Sequence, residues 1–170
     1  MDAPPVDGCP DTYLVDNELF GTPKMLATYL LDAAQPAILD AGTVSGAERI
    51  LDAMDTVGID PAAVETILVS HVHLDHAAGT ARLLTACGNA TVVVHERGLP
   101  FLTDADKLAR LVESVEAAIG MEAPYGDPEL VPEDRCRAVS GGEVLDLGDR
   151  ELELYDAPGH APHPYVALEP

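Results

Sequence analysis

The sequence predicts an α/β sandwich built on a mixed sheet, and three observations carry that reading. Short apolar runs and amphipathic stretches follow one another as several strands, then helix, strand, helix, strand, helix, then strands again, an order that packs helices against a sheet with parallel and antiparallel neighbours. The run Thr66-Ile67-Leu68-Val69-Ser70 is continuously apolar at its centre, as a buried strand is, whereas Glu151–Tyr155 alternates polar and apolar, as an antiparallel strand with one wet face does. Of 170 residues, 47% are hydrophobic, which suits one domain over residues 1–170 burying roughly 70% of its unfolded surface. Trp is absent and aromatics make up 4%, so Ala, Val and Leu must fill most of the core.

Taken in order, residues 1–11 are rich in Pro and Asp and are expected to be a loose lead-in. Tyr13-Leu14-Val15 and Ala27–Leu31 read as strands separated by the turn Gly21-Thr22-Pro23. Ala37–Asp40 is a further short strand, and Ala41-Gly42-Thr43 turns the chain. Ser45 is expected to cap a helix, with Glu48 three residues on completing a capping box. Ile50, Leu51, Met54 and Val57 then recur at helical spacing until Gly58. Pro61–Val64 forms one short turn before strand 66–70. Ala77–Ala86 reads as a helix ending at Gly88, and Thr91–His95 as a β-branched strand. Asp104–Ile119 places Leu108, Leu111, Val112, Val115 and Ile119 on one face of a longer helix that Gly120 ends. Residues 121–134 are loop-like. Arg137–Val139, Val144–Leu147, Glu151–Tyr155 and Tyr165–Leu168 are short closing strands.

Charge and cysteine content narrow the partners. Thirty Asp and Glu stand against nine Lys and Arg, for a net charge of -21, and the acids are scattered rather than gathered in a tail. A folded surface of hydrated carboxylates with only Lys24 and Lys107 as lysines fits a salt-accumulating halophile, because high salt screens the self-repulsion. No Lys/Arg cluster is available for phosphates, which argues against nucleic acid as a partner. Cys9, Cys87 and Cys136 form no CxxC pair and no disulfide framework, so a reducing cytoplasm is expected. The N-terminus lacks a secretory pattern, and no apolar run approaches the ~20 residues of a membrane span. A small-molecule substrate remains; the sequence leaves oligomeric state open.

Function is concentrated in His71-Val72-His73-Leu74-Asp75-His76, four potential metal ligands in six residues directly after strand 66–70. Side chains alternate along extended chain, so His71 and His73 project to one side and can take two corners of a tetrahedral site. Asp75 and His76 follow at the mouth of the next helix, where the turning chain can aim them at a second position. Imidazole and carboxylate suit Zn, and also Fe or Mn. The plain alternative is that Asp75 caps the helix beginning at Ala77 and the histidines are ordinary loop residues. A cap accounts for one residue and leaves three histidines unexplained. His95, ending Val92-Val93-Val94, reads as a satisfied strand-end histidine, and His163, in a Pro-rich turn, as an ordinary loop residue.

His71-x-His73-x-Asp75-His76 after an apolar strand resembles the HxHxDH motif of the metallo-β-lactamase fold superfamily. Asp40-Ala41-Gly42 resembles that family's strand-terminal D-[TA]-G turn, and Ala157-Pro158-Gly159-His160-Ala161-Pro162 its PGH(T/S/A)P segment. These landmarks span nearly the whole chain. The resemblance implies a metallo-β-lactamase-like αβ/βα sandwich with one or two Zn ions at one edge between two sheets. It implies that His71, His73 and His160 hold the first metal, that Asp75 and His76 help hold a second, and that Asp40 orients the site loops from behind the ligands. The chemistry implied is hydrolysis of a small ester, thioester or lactone by metal-bound hydroxide, with Asp75 orienting the water and accepting its proton.

The sequence departs from the family pattern after His160. The usual member supplies a later Asp that bridges two metals and a last His; here ten residues follow, containing His163 and Glu169 but no Asp. A C-terminally truncated member, lacking much of the second half of the sandwich, is therefore expected, and hydrolase ancestry is firmer than present catalysis. A non-catalytic metal-binding fragment stays open beside the hydrolase, as does an iron-dependent sulfur dioxygenase-type oxidoreductase. The di-iron flavoprotein relatives carry Glu where His73 stands, which argues against that branch.

Overall fold

A computed structural model describes residues 2–170. Its larger sheet has seven strands in sequence order: β1 (Pro5–Val6), β2 (Cys9–Asp16), β3 (Ala27–Leu31), β4 (Ala37–Leu39), β5 (Thr66–Val69), β6 (Thr91–His95) and β7 (Cys136–Val139). β1 to β4 pair antiparallel, and β4 to β7 pair parallel, so the sheet is mixed as the element order predicts. Parallel neighbours need crossover connections, and helices supply them: α1 (Val44–Val57) between β4 and β5, and α2 (Leu74–Ala77) with α3 (Thr80–Ala86) between β5 and β6. α4 (Leu99–Thr103) and α5 (Ala105–Ile119) precede β7. A second, antiparallel sheet of three strands has the order β10 (Tyr165–Leu168), β9 (Glu151–Asp156), β8 (Val144–Asp146).

The continuous apolar runs are explained by burial on both faces of the larger sheet. Ile67, Val69, Val92 and Val94 face the layer of α1 and α3, where Ile50, Ala53, Met54 and Leu83 complete a core. Leu68 and Val93 point the other way and meet Leu145, Leu147, Leu152, Leu154 and Tyr165 of the small sheet. The outer face of that small sheet is uncovered: Val144, Tyr155, Val166 and Leu168 are exposed.

Three expectations are corrected. Of the lead-in expected over 1–11, Met1 lies outside the described residues and the rest is not loose, because β1 pairs with β2 and β2 begins at Cys9; Pro5 is tolerated because β1 is an edge strand. Thr43, not Ser45, caps α1, its Oγ1 accepting from the Gly46 amide at 2.9 Å, and Glu48 pairs with Arg82 instead of closing a capping box. The helix expected over 77–86 is two helices broken at Ala78-Gly79, and it starts early enough to contain Asp75 and His76. The short α4 was not foreseen. By contrast α5 runs as expected from its Asp104 cap to Gly120 at φ 75°, and α1 stops at Gly58 at φ 83°.

Candidate metal centre

β5 ends at Val69, and the next residues leave the sheet between two anchors. Val72 is buried in the core under α1 and α3, and Leu74 is buried against Ala78 and Leu108. With those apolar side chains turned inward, His71 and His73 share the opposite side, as alternation requires. The second arm is the loop joining β9 to β10. Tyr165, the first residue of β10, fixes it by donating its amide to Ser70 O at 3.2 Å and its hydroxyl to Val93 O at 3.2 Å. Gly159 N donates to Ala161 O at 3.1 Å, and Arg97 holds Pro162 O at 3.0 Å.

These anchors bring His71, His73 and His160 together, with one ring nitrogen of each within 4.8 Å of the others. His73 Nδ1 and His160 Nε2 are 2.9 Å apart. Two imidazole nitrogens on one tetrahedral Zn²⁺ stand about 3.3 Å apart, so a shift of a few tenths of an ångström admits a cation. His71 is 8% exposed, and its Nε2 is buried with no hydrogen-bond partner among the described residues.

A hydrogen-bond relay explains which nitrogen His71 presents. Asp40 sits at φ 66°, a left-handed conformation that Asp tolerates better than most residues, and this turns its carboxylate under the motif. Asp40 Oδ1 accepts the Ser70 amide at 2.8 Å, and Oδ2 accepts the Ser70 hydroxyl at 2.9 Å. With its proton spent on Asp40, Ser70 Oγ can only accept from His71 Nδ1, 3.0 Å away. That tautomer leaves the Nε2 lone pair facing the cluster. His76 Nδ1 lies 2.8 Å from Asp40 Oδ2, so its Nε2 is left free in the same way, 3.5 Å from Asp75 Oδ2. An orphaned buried acceptor beside two further imidazoles fits a metal ligand set and has no other explanation in the chain's own hydrogen bonding.

The electrostatics agree. Burial, reinforced by His76 and His73, lowers His71 to about 4. Burial and neighbouring His160 lower His73 as well. Both rings are therefore neutral at pH 7, as ligands must be. His76 goes the other way: burial opposes its charge, but the hydrogen bond and charge of Asp40, with Asp75 adding, raise it.

Asp75 does not cap a helix from outside; it lies in the first turn of α2, half-buried. His95 is a satisfied strand-end histidine, donating from Nε2 to Asp156 at 3.2 Å and accepting the Arg97 amide at Nδ1. His163 is not an ordinary loop residue. It is 6% exposed, its ring lies 5.9 Å from that of His73 and 6.4 Å from that of His71, and Nδ1 lacks a hydrogen-bond partner among the described residues. Its only sequence signal is the His160-x-x-His163 spacing. Ser70 and Asn17 were also not singled out. Asn17 closes over the Asp40-Ala41-Gly42 turn, and a Cβ on Gly42 or Gly46 would meet its Oδ1 at 2.8 or 2.6 Å. Glu169 lies away from the histidines, paired with Arg150 at 2.9 Å.

The sequence profile of the metallo-beta-lactamase superfamily matches residues 22–168. A relative named as a ribonuclease, from Thermus thermophilus, is 30% identical over 138 residues, 80% of this chain but 30% of its own. Among solved structures, a subclass B3 metallo-beta-lactamase from a soil metagenome library is 27% identical, with a TM-score of 0.70 over 94% of this chain and 54% of its own. An archaeal metallo-beta-lactamase superfamily protein from Sulfolobus tokodaii is 25% identical, with a TM-score of 0.77 over 95% of this chain and 60% of its own. The chain thus spans between 30% and 60% of the length of these relatives. Over most of its own length, the chain belongs to the metallo-beta-lactamase superfamily.

Proposed function

We propose that this chain carries the metal centre of a hydrolase acting on a small ester, thioester or lactone. The carrying observation is the orphaned Nε2 of His71, fixed by the relay to Asp40 and facing His73 and His160. His71, His73 and His160 would hold one divalent ion, for which Zn²⁺ suits three neutral imidazoles best. Asp75 and His76 flank a second position. When bound, the ion would supply Lewis-acid polarisation and lower the pKa of a water toward about 7.

The remaining work falls to side chains. Asp75, half-buried beside the triad, orients the attacking water and accepts its proton. Asp40 holds Ser70, and through it His71, in one orientation, and holds His76 directly. No Ser or Cys nucleophile is called for. The ribonuclease named among the relatives points to another substrate, but a net charge of -21 with nine Lys and Arg leaves a polyanion unfavoured here.

The test is metal analysis of the purified chain after Zn²⁺ loading in molar KCl, together with turnover of p-nitrophenyl acetate, an acyl thioester and a lactone. One bound Zn²⁺ and hydrolysis of at least one substrate class are expected. His160→Ala should lose the ion, and Asp75→Asn should lower kcat by about 10²–10⁴-fold while keeping it. A chain that binds zinc through the triad yet turns over none of the three is a binding fragment, and the hydrolase reading fails.

A further inference from the structure

The triad leaves one corner of a tetrahedral site to fill, and a further buried imidazole stands beside it. Among the described residues, the ring of His163 contacts those of His73 at 5.9 Å, Phe101 at 6.1 Å and His71 at 6.4 Å. His163 is 6% exposed, and its Nδ1 is sealed from solvent without a hydrogen-bond partner among the described residues. Only one other histidine nitrogen there shares that condition, the Nε2 of His71. The neighbours do not satisfy it. The Phe101 ring has no polar atom, and His95 spends Nε2 on Asp156 and Nδ1 on the Arg97 amide. A buried polar atom left in this way is costly and marks a missing partner.

The chain holds His163 there by several means. Pro162 and Pro164 flank it and fix φ on either side. The Ala157 amide donates to Pro164 O at 3.0 Å and closes the β9–β10 connection at its base. Arg97 Nη1 donates to Pro162 O. One short connection therefore carries His160 into the triad and His163 against its rim. Imidazoles sharing one tetrahedral Zn²⁺ have ring centroids roughly 5 Å apart. The three triad pairs already stand at 4.6, 4.7 and 5.2 Å. His163 is farther out by about an ångström, a gap that a small movement of the connection closes.

We infer that His163 is a displaceable fourth ligand, which closes the coordination of an ion held by His71, His73 and His160 and yields its place to an incoming ligand. Four protein ligands make a closed zinc site, and three with an open position make a reactive one. The observed ring separations are those of the open arrangement. The closed one gives the Nδ1 of His163 the partner that the protein does not supply. An incoming ligand then binds more weakly in proportion to the fraction of molecules in which His163 is displaced. The inference rests on the proposed triad ion and not on hydrolysis, so the two fail separately.

The test labels the histidine rings with ¹⁵N and loads the chain with one equivalent of ¹¹³Cd²⁺ in molar KCl. Metal–nitrogen couplings in the NMR spectrum then identify each ligating imidazole. Couplings to His71, His73, His160 and His163 are expected, the last through Nδ1. Couplings to the triad with none to His163 overturn the inference. A triad without couplings overturns it together with the metal centre. His163→Gln should lose the fourth coupling, and its Zn²⁺-loaded form should bind acetohydroxamate about tenfold more tightly than the native chain in calorimetry. Equal or weaker binding by the variant overturns displacement. The native spectrum decides even where the variant does not fold. Ester turnover measured alongside separates the two readings: four couplings without turnover keep the fourth ligand and remove the hydrolase, and turnover with only the triad coupled does the reverse.

Discussion

One hydroxyl decides which nitrogen of His71 faces the cluster. Ser70→Ala removes the acceptor for the Nδ1 proton and leaves Asp40 with one fewer donor. Zn²⁺ affinity, measured by competition with a chromophoric chelator, should drop about 10–100-fold, and Ser70→Thr should restore it. The pH dependence has a definite sign. His71 titrates near 4 folded and near 6.5 unfolded, so between those values the unfolded chain binds a proton that the folded chain refuses. Stability of the metal-free protein therefore falls as pH drops from 6.5 toward 4, and His73, also lowered, adds to it. His76, raised, contributes in the opposite sense, its stabilisation being lost as pH rises through its folded value. The larger His71 effect should dominate, giving a lower urea midpoint at pH 5 than at pH 7. The ligand candidates were legible because imidazoles at alternate positions after a buried strand have few other uses. Ser70 and His163 were not, because their roles depend on partners such as Asp40, thirty positions from Ser70 in sequence, which no local pattern reveals.

Periodicity identified β5, β6, α1 and α5 with bounds within one or two residues of those found, since each has a clear inward face. It failed where tertiary contact overrode the local pattern. The helix expected over 77–86 breaks because Gly79 passes the Asp40-Ala41-Gly42 turn too closely for a side chain: a Cβ there would lie 2.4 Å from Ala41 O and 2.7 Å from Thr43 O. The two segments are laced by Gly79 N to Gly42 O at 3.0 Å and Ala41 N to His76 O at 2.8 Å. Gly79→Ala should accordingly destabilise the protein by about 1–3 kcal/mol in urea denaturation and loosen the metal, although the residue touches no ligand. Thr43→Ala, which removes the cap of α1, should cost about 1 kcal/mol with a smaller effect on metal affinity.

For the whole molecule, charge is the dominant global term. A net charge of -21 over 170 residues opposes compaction, and the screening length falls from about 10 Å at 0.1 M salt to about 3 Å at 1 M. The thermal midpoint should rise steadily between 0.1 and 3 M KCl; a midpoint independent of salt would contradict the halophilic expectation. Composition carries that expectation, whereas the mixed sheet was legible from the order of the elements. The small sheet was legible only as separate strands, because its packing on the large one depends on contacts between Leu68 or Val93 and residues some fifty or more positions later.

His71 and His73 extend from the end of β5 in the large sheet, whereas His160 hangs from the β9–β10 connection of the small one, 87 positions beyond His73. An ion shared by them is a reversible cross-link between the two layers. Covalent bridges that close loops of this length restrict the unfolded chain by about 4–5 kcal/mol. Chelation should therefore act mechanically as well as chemically, speeding amide exchange in β8, β9 and β10 ahead of β4 to β6. The small sheet would be the first part to peel away, and the rate of that peeling would report how firmly the ion is held.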